Sequence, residues 1–315
     1  MTTLEPTIEA VYIGIDVAKD NLQIDLQGKP TSLPNTAAGH KTLPGLLPAG
    51  AFLVMESTGC YHIAPLDFFQ AAGIPVAIIN PVRMKNFGKA RGTLAKTDPI
   101  DAVLITAFGV AFKPRATPPR DAERALLSEL VDMREKLGAQ LVSWNNSLES
   151  QQSAAIKNLT KKQIRRDTKM LAEVEAHIAK LIASSKTLAP IAKVLQTCKG
   201  IGVVTSAVLT AQMPELGLIN RHEAAALAGL APYADDSGNH KGKRRVKGGR
   251  PCLKRALYLA SLSAVRFHPT LSPAYKAMRA AGKPAKVALI ATARKLVVIL
   301  NAKLKEYYAS LPLPA

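Results

Sequence analysis

The apolar residues in the first half of the chain fall into short runs, and those in the second half fall at helical spacing. Runs at 11–17, 22–26, 51–55 and 76–79 have the length and apolar character of buried strands. The segment 61–72 between the last two runs has the spacing of a helix. Strands that alternate with helices are typical of a sheet with parallel members. The pattern therefore predicts an α/β N-terminal domain.

Two long segments in the middle of the chain carry an apolar residue every three or four positions. These are 126–148 and 171–181, with the basic stretch 161–169 between them. Such spacing predicts two amphipathic helices that fold back on each other as an antiparallel coiled-coil hairpin. Plain helix-bundle packing would give the same pattern, so that alternative stays open.

A proline-rich break at 114–119 predicts the first domain boundary. Beyond residue 189 the pattern is mainly helical, and Gly200-Ile201-Gly202 resembles the turn of helix-hairpin-helix modules, which hold nucleic-acid backbones. We therefore expect three regions, an α/β domain at 1–114, a coiled-coil or helical region at 115–188 and a mainly helical domain at 189–315.

The charge balance of the chain favours a polyanionic partner. Lys and Arg number 42 against 23 Asp and Glu, giving a net charge of +19, which indicates nucleic acid before a membrane surface. No apolar run approaches the ~20 residues that a membrane span needs. The first residues lack the features of a signal peptide, and the three cysteines show no metal-ligand spacing. We expect a cytoplasmic protein with reduced thiols.

Four carboxylates lie within or next to the predicted strands and helices of the N-terminal half. Asp16 lies inside the first apolar run, Glu56 follows the run 51–55, and Asp98 and Asp101 open an apolar helix on one face. A lone buried carboxylate is costly unless it is paired, hydrogen-bonded or bound to a metal. Converging carboxylates would form a site for a hard divalent cation such as Mg²⁺. Asp98 before Pro99 could instead cap the helix, and Asp16 could be a surface residue at a strand end.

Two basic segments are candidates for binding nucleic-acid phosphates. The second could instead be a solvated loop, but its eight cations in the fifteen residues 241–255 favour phosphate binding. Ser237 precedes the second segment in an Asp-Ser-Gly sequence, which by itself indicates a turn. The candidate binding residues are Arg83, Lys85, Lys89 and Arg91 in the first segment, and Lys241, Lys243, Arg244, Arg245, Lys247 and Arg250 in the second.

Taken together, these residues resemble a known family over nearly the whole chain. It comprises the insertion-sequence transposases with an Asp-Glu-Asp-Asp RuvC-like domain, relatives of the Piv DNA invertases, some of which are bridge-RNA-guided recombinases. The motifs that carry the resemblance are Gly14-Ile15-Asp16-Val17-Ala18-Lys19, Glu56-Ser57-Thr58-Gly59, Lys96-Thr97-Asp98-Pro99-Ile100-Asp101-Ala102, Gly200-Ile201-Gly202, Ala228-Gly229-Leu230-Ala231-Pro232, Ser237-Gly238, Lys247-Gly248-Gly249 and Arg294-Lys295-Leu296.

The resemblance implies a fold, a chemistry and partners. The N-terminal domain would be ribonuclease H-like (RuvC-like), with Asp16, Glu56, Asp98 and Asp101 holding Mg²⁺. Ser237 would be the nucleophile that joins covalently to a DNA phosphate, which overrides its local interpretation as a turn residue. The partners would be donor and target double-stranded DNA, a structured guide RNA and further copies of the chain in a dimer or tetramer. The protein would act in the bacterial cytoplasm, associated with the nucleoid when bound to DNA.

Two other functions fit the same residues. The protein could be a ribonuclease H-like nuclease or junction resolvase that hydrolyses DNA with metal alone, with Ser237 structural. It could also be a basic nucleic-acid-binding protein without catalysis. A covalent protein–DNA adduct that depends on Ser237 separates the first alternative from the transposase hypothesis, and Mg²⁺-dependent strand cleavage separates the second.

Overall fold

A computed structural model describes residues 10–57, 59–92, 98–233, 236–237, 240–241 and 244–311, with only the backbone at 98–100, 236–237 and 240–241. The chain divides into two compact units, Met1–Arg120 and Asp121–Ala315. Within the described ranges, no helix is long and apolar enough to cross a membrane. The predicted three-region division, with boundaries at 114 and 188, stays a prediction.

The N-terminal unit is a mixed sheet covered by helices on both faces. The sheet order is β3-β2-β1-β4-β5, with β1, β4 and β5 parallel and β2 antiparallel to both of its neighbours. The strands are β1 (Val11–Val17), β2 (Asn21–Leu26), β3 (Lys29–Pro34), β4 (Ala51–Glu56) and β5 (Val76–Ile79), and the helices are α1 (Ala37–Thr42), a 3-10 turn (Leu43–Leu46), α2 (Ile63–Ala71), α3 (Pro81–Ala90) and α4 (Asp98–Phe112).

Alternate residues of the central strands are buried on opposite faces of this sheet. Ile13, Ile15 and Met55 belong to a core with Phe69 of α2, whereas Val54 belongs to a second core with Phe108 of α4 and neighbouring apolar residues. Burial on both faces explains why the strands are nearly continuous apolar runs. The predicted α/β architecture is confirmed.

Strand β3 and helix α3 were not predicted. Pro30 and Pro34 gave the β3 segment the pattern of a loop, but within the described residues β3 lies at the sheet edge and pairs with β2 alone. Proline is tolerated there because an edge strand leaves one row of N–H groups unpaired. Helix α3 begins at Pro81, where the Asn80 side chain accepts a hydrogen bond from the Val82 N–H at 2.8 Å.

The C-terminal unit is mainly helical, as predicted. Within the described residues its sheet structure consists of two-residue strands between α9 and α10. The helices are α5 (Ala122–Ser150), α6 (Ala154–Ser184), α7 (Leu188–Gln196), α8 (Val203–Gln212), α9 (Arg221–Leu227), α10 (Pro251–Phe267), α11 (Leu271–Ala280) and α12 (Ala285–Ala309), and the strands are β6 (Pro232–Tyr233), β7 (Asp236–Ser237), β8 (His240–Lys241) and β9 (Arg245–Val246).

Helices α5 and α6 form an antiparallel hairpin. Side chains near the turn pair across it, because the Thr160 hydroxyl donates to Gln151 Oε1 at 3.0 Å. Farther from the turn, Arg134 Nε donates to Glu175 Oε1 at 2.8 Å. Residues earlier in α5 thus pair with residues later in α6, which establishes the antiparallel hairpin. A coiled-coil supercoil stays a prediction.

Candidate catalytic site

Asp16 and Glu56 lie at adjacent positions on neighbouring parallel strands. The register of β1 and β4 pairs Val11 with Ala51 and continues to Ile15 with Met55, so the next position sets Asp16 beside Glu56. Both residues are half-buried. The carboxyl ends of parallel strands lie at one edge of a sheet, and this edge therefore carries two carboxylates predicted from the sequence.

Helix α4 is held against β1 by an unusually close approach at Gly14. A Cβ at this position would lie 2.2 Å from the Ala102 carbonyl oxygen and 2.4 Å from the Thr106 nitrogen. The Gly14 N–H donates to Thr106 Oγ1 at 2.9 Å, and the same hydroxyl donates to the Ala102 carbonyl at 3.3 Å. Thr106 is a positioning residue that the sequence analysis missed, because a single threonine in an apolar helix gives no signal of its partner.

The direction of α4 brings its N-terminus to the edge that carries Asp16 and Glu56. Farther along the helix, a Cβ on Gly109 would meet Tyr12 and Val54 side-chain atoms at 3.0 Å. Because Gly109 lies near Tyr12 while Ala102 lies near Gly14, α4 runs antiparallel to β1. Asp101 is half-buried and lies in the first turn of α4. It is therefore at the end of the helix that lies toward the edge carrying Asp16 and Glu56. We call Asp16, Glu56 and Asp101 the acidic edge.

The fit of this edge to a metal rests on its donor chemistry. Carboxylate oxygens from two strand ends and one helix start suit a hard divalent cation. Asp98 begins α4, but its side chain lies outside the described residues, as does its proposed role as a cap. Among the side chains that the structure describes, no group of three or more His, Cys, Asp and Glu residues is gathered tightly enough to hold a metal ion. The carboxylates thus share an edge without forming a complete ligand cage among the described residues.

The predicted basic segment before this helix lies on α3 and its C-cap. Arg83, Lys85, Lys89 and Arg91 are all exposed. The Arg83 guanidinium lies over the Phe108 ring at 5.1 Å, and the Arg91 guanidinium lies over the Phe87 ring at 5.8 Å. Stacking on aromatic faces restrains the two guanidinium groups without neutralising them. The surface thus keeps its positive charge available to a phosphate backbone.

Ser237 lies between α9 and α10, where the described residues form four strands of two residues each. We call residues 232–250 the serine loop. At its base β6 pairs with β9, setting Tyr233 opposite Arg245, and farther out β7 pairs with β8, setting Ser237 opposite His240. The side chains of Ser237 and Lys241, and the whole of Lys243, lie outside the described residues. Arg244, Arg245 and Lys247 are exposed, as a phosphate-binding role requires.

Glycine contacts fix the end of the serine loop against the helix that precedes it. Gly229 and Gly249 both have left-handed backbones, with φ of +65° and +69°, and a Cβ on Gly249 would lie 2.1 Å from the Gly229 nitrogen. The Arg250 N–H also donates to the Leu227 carbonyl at 2.8 Å. Only glycine permits two backbones to approach this closely. The start and the end of the loop are therefore joined.

Arg250 ties this junction to a second point in the fold. Its guanidinium donates to both Glu215 carboxylate oxygens, at 2.6 and 2.8 Å, and to the Gln212 carbonyl at 2.7 Å. Burial acts to raise the pKa of Glu215, but the hydrogen bond from Arg250, a backbone hydrogen bond and the charges of Arg250 and Arg124 together bring the pKa below its ordinary value. The bond to Glu215 likewise raises the pKa of Arg250. This pair favours a structural role for Arg250 over the phosphate-binding role that the sequence suggested.

The chain is similar to known transposases and DNA-inverting proteins. Residues 13–153 match a DEDD-type IS110 model described as a transposase, and residues 192–276 match a model described as the transposase IS116/IS110/IS902 family. The first match includes Asp16, Glu56, Asp98 and Asp101, and the second includes Ser237.

Individual relatives of the chain are also proteins that invert DNA or belong to insertion elements. The chain is 27% identical over 309 residues to the pilin gene-inverting protein of Moraxella bovis, covering 94% of this chain and 96% of that protein. The corresponding Moraxella lacunata protein is 27% identical over 316 residues, with the same coverage of 94% and 96%. An IS110 insertion-element protein of Streptomyces coelicolor is 33% identical over 119 residues, which is 37% of this chain and 29% of that protein.

Proposed function

Since the chain belongs to the IS116/IS110/IS902 family of transposases and is an enzyme that cuts and joins DNA, we propose that it exchanges DNA strands through a covalent serine–DNA intermediate. The observation that carries the proposal is the acidic edge. The β1–β4 register gives Asp16 and Glu56 neighbouring positions near the ends of their strands, and α4 runs so that its N-terminus lies toward the same edge. The mixed sheet that presents them supports a ribonuclease H-like assignment.

Asp16, Glu56, Asp98 and Asp101 would hold the divalent metal of the reaction. A cation such as Mg²⁺ in such a site supplies Lewis-acid polarisation of phosphate oxygens and offsets the negative charge that develops during phosphoryl transfer. The rigid strands of the acidic edge keep Asp16 and Glu56 at a fixed separation. The Gly14–Thr106 contact fixes the helix that carries the other two acids.

Ser237 would attack the scissile phosphate. Its Oγ–P bond forms as one bridging P–O bond of the DNA breaks, a base accepts the serine proton, and the departing sugar hydroxyl receives a proton. A serine hydroxyl is a weak nucleophile until such a base or a metal activates it. Because a phosphodiester replaces a phosphodiester, a sugar hydroxyl of another strand can reverse the step without ATP. The exposed Arg244, Arg245 and Lys247 would hold the reacting strand.

The proposal also covers the partners of the reaction, which are DNA, further copies of the chain and a guide RNA. The chain would act on donor and target DNA as an oligomer, guided by a structured RNA. The family membership and the inverting activity named for the Moraxella relatives support a DNA substrate. Sequencing of the nucleic acid that co-purifies with the protein tests the RNA component, because a guide would appear as one recurrent structured RNA.

Asp16→Asn tests the acidic edge. This change removes one negative charge but keeps the shape of the side chain, so strand cleavage should fall by at least about a hundredfold if the carboxylate binds metal. Cleavage of a labelled DNA substrate across a Mg²⁺ titration measures the effect. The matched control is Asp20→Asn, an exposed turn residue four positions later, which should cleave as the natural protein does. Equal cleavage by Asp16→Asn and the control would rule out the metal assignment.

A further inference from the structure

The first half of α6 carries a dense positive charge that the proposed chemistry does not use. Residues 154–172 contain six cations and one acid, Asp167. We call the five on its outer surface the hairpin row. Its members are Lys161, Lys162, Arg165, Arg166 and Lys169, and all are exposed.

The one acid in this segment is turned away from the cations. Asp167 is 7% exposed and accepts hydrogen bonds from Trp144 Nε1 at 3.1 Å and Gln163 Nε2 at 2.7 Å. Its charge is therefore held inside the α5–α6 hairpin by neutral donors. Had it faced outward, it would have offset the neighbouring Arg165 and Arg166.

Helical geometry gathers the hairpin row on one side. At ~100° per residue, its five cations fall within an arc of about 140° centred nearly opposite Asp167. Among the described residues, the ion pair that involves this row is Lys169 with Glu173, at 3.9 Å and with both side chains mostly exposed, a geometry that contributes little. The other four cations make no hydrogen bond or ion pair with any described residue.

The second half of the same helix is different. Residues 173–184 contain Glu173 and Glu175 against one cation, Lys180. Charge is thus concentrated toward the turn of the hairpin instead of being spread along a solvated face. Because Asp167 is buried, the exposed charges of residues 154–172 are all positive. A helix face that only contacts solvent has no need of such a one-sided charge.

We propose that the hairpin row is a binding surface for the phosphate backbone of duplex DNA that flanks the reacting strands. From Lys161 to Lys169 the helix rises roughly 12 Å, a length that spans several phosphates of one strand. The proposal rests on the proposed function for the identity of its partner, but it is independent of Asp16 and Ser237. It gives the hairpin a role in holding substrate, beyond connecting elements of the fold.

The test neutralises part of the row in the full chain. A triple variant, Lys161→Gln, Arg165→Gln and Arg166→Gln, keeps good helix formers and changes no buried residue. Its affinity for duplex DNA should fall about tenfold or more near 0.1 M salt, and the slope of log affinity against log salt should decrease by about two to three. A matched triple, Lys180→Gln, Lys186→Gln and Lys193→Gln, removes the same charge from exposed positions nearer the other end of the hairpin and should retain the natural slope.

The possible outcomes distinguish DNA binding by the hairpin row from the proposed reaction of Ser237. The same loss in a Ser237→Ala background supports the hairpin row whatever the nucleophile is. Equal losses from the two triples would overturn it, because the effect would then be one of net charge. A loss confined to structured RNA, with duplex DNA bound as before, would also overturn the assignment. Circular dichroism at 222 nm verifies that α6 is intact in both triples.

Discussion

The acidic edge and the serine loop are both proposed to handle DNA phosphates, but different contacts hold them in place. Asp16 and Glu56 extend from strands buried on both faces, so the core of the N-terminal unit fixes them. Ser237 belongs to a strand of two residues, and among the described residues the contacts that hold its loop lie at the base, where β6 pairs with β9. The comparison shows two ways to hold a site. The buried core positions the acidic residues, whereas the Gly229–Gly249 contact and the Arg250–Glu215 ion pair hold the base of the serine loop.

The largest effect should come from breaking the support of the acidic edge. In Gly14→Ala the new methyl group would overlap backbone atoms of α4 at 2.2 and 2.4 Å, which cannot move as a flexible side chain does. We expect a loss of about 3 kcal/mol or more in the stability of the N-terminal unit, together with loss of DNA cleavage. Hydrogen exchange of peptides from β1 and α4 measures the change in that unit alone.

A second glycine of the same unit provides the control. Gly45 has open space around its Cβ position and no left-handed backbone. Gly45→Ala should leave exchange of β1 and α4 unchanged. Natural protection in Gly14→Ala would show that the close approach of α4 does not position the edge.

A smaller, pH-dependent effect should follow from breaking the base of the serine loop. Glu215→Gln removes the charge that Arg250 contacts, and should cost about 1–2 kcal/mol at pH 7 because the pair is only partly buried. The pKa of Glu215 in the folded state lies below its ordinary value. Its stabilising contribution is therefore fully present above that ordinary value and is lost as the pH falls through the lower, folded-state pKa.

Denaturant unfolding of the natural chain and Glu215→Gln, followed at 222 nm, measures this linkage. The difference between the two proteins should shrink as the pH is lowered from 7 toward 3. A difference that stays constant over this range would show that the carboxylate charge of Glu215 does not hold the loop. Hydrogen exchange of the acidic edge should be the same in both proteins, since the two regions are supported separately.

The sequence predicted those parts of this arrangement that depend on local pattern. The apolar runs located β1, β2, β4 and β5, and the sequence singled out the acids near the ends of β1 and β4, Asp16 and Glu56. The edge strand β3 was missed because its prolines resemble those of a loop. Contacts between distant residues could not be predicted, and neither the Gly14–Thr106 approach nor the Arg250–Glu215 pair leaves a local pattern.

The same limit applies to charge. Arg250 belongs to a basic segment in the sequence, but an acid 35 residues away engages it. Asp167 interrupts a basic stretch in the sequence, yet the fold buries it against Trp144. Composition therefore indicated a nucleic-acid partner, as the family also does, while the fold decides which cations are free to face that partner.

The measurement that tests the account most directly is the identification of the residue that joins to DNA. The natural chain is trapped on a nicked DNA substrate and digested, and the modified peptide is located by mass spectrometry. The account predicts an adduct on Ser237, its complete loss in Ser237→Ala, and little change in the stability of that variant, within about 0.5 kcal/mol. An adduct on another residue, or strand exchange by Ser237→Ala at the natural rate, would contradict the serine mechanism and favour hydrolysis by metal alone.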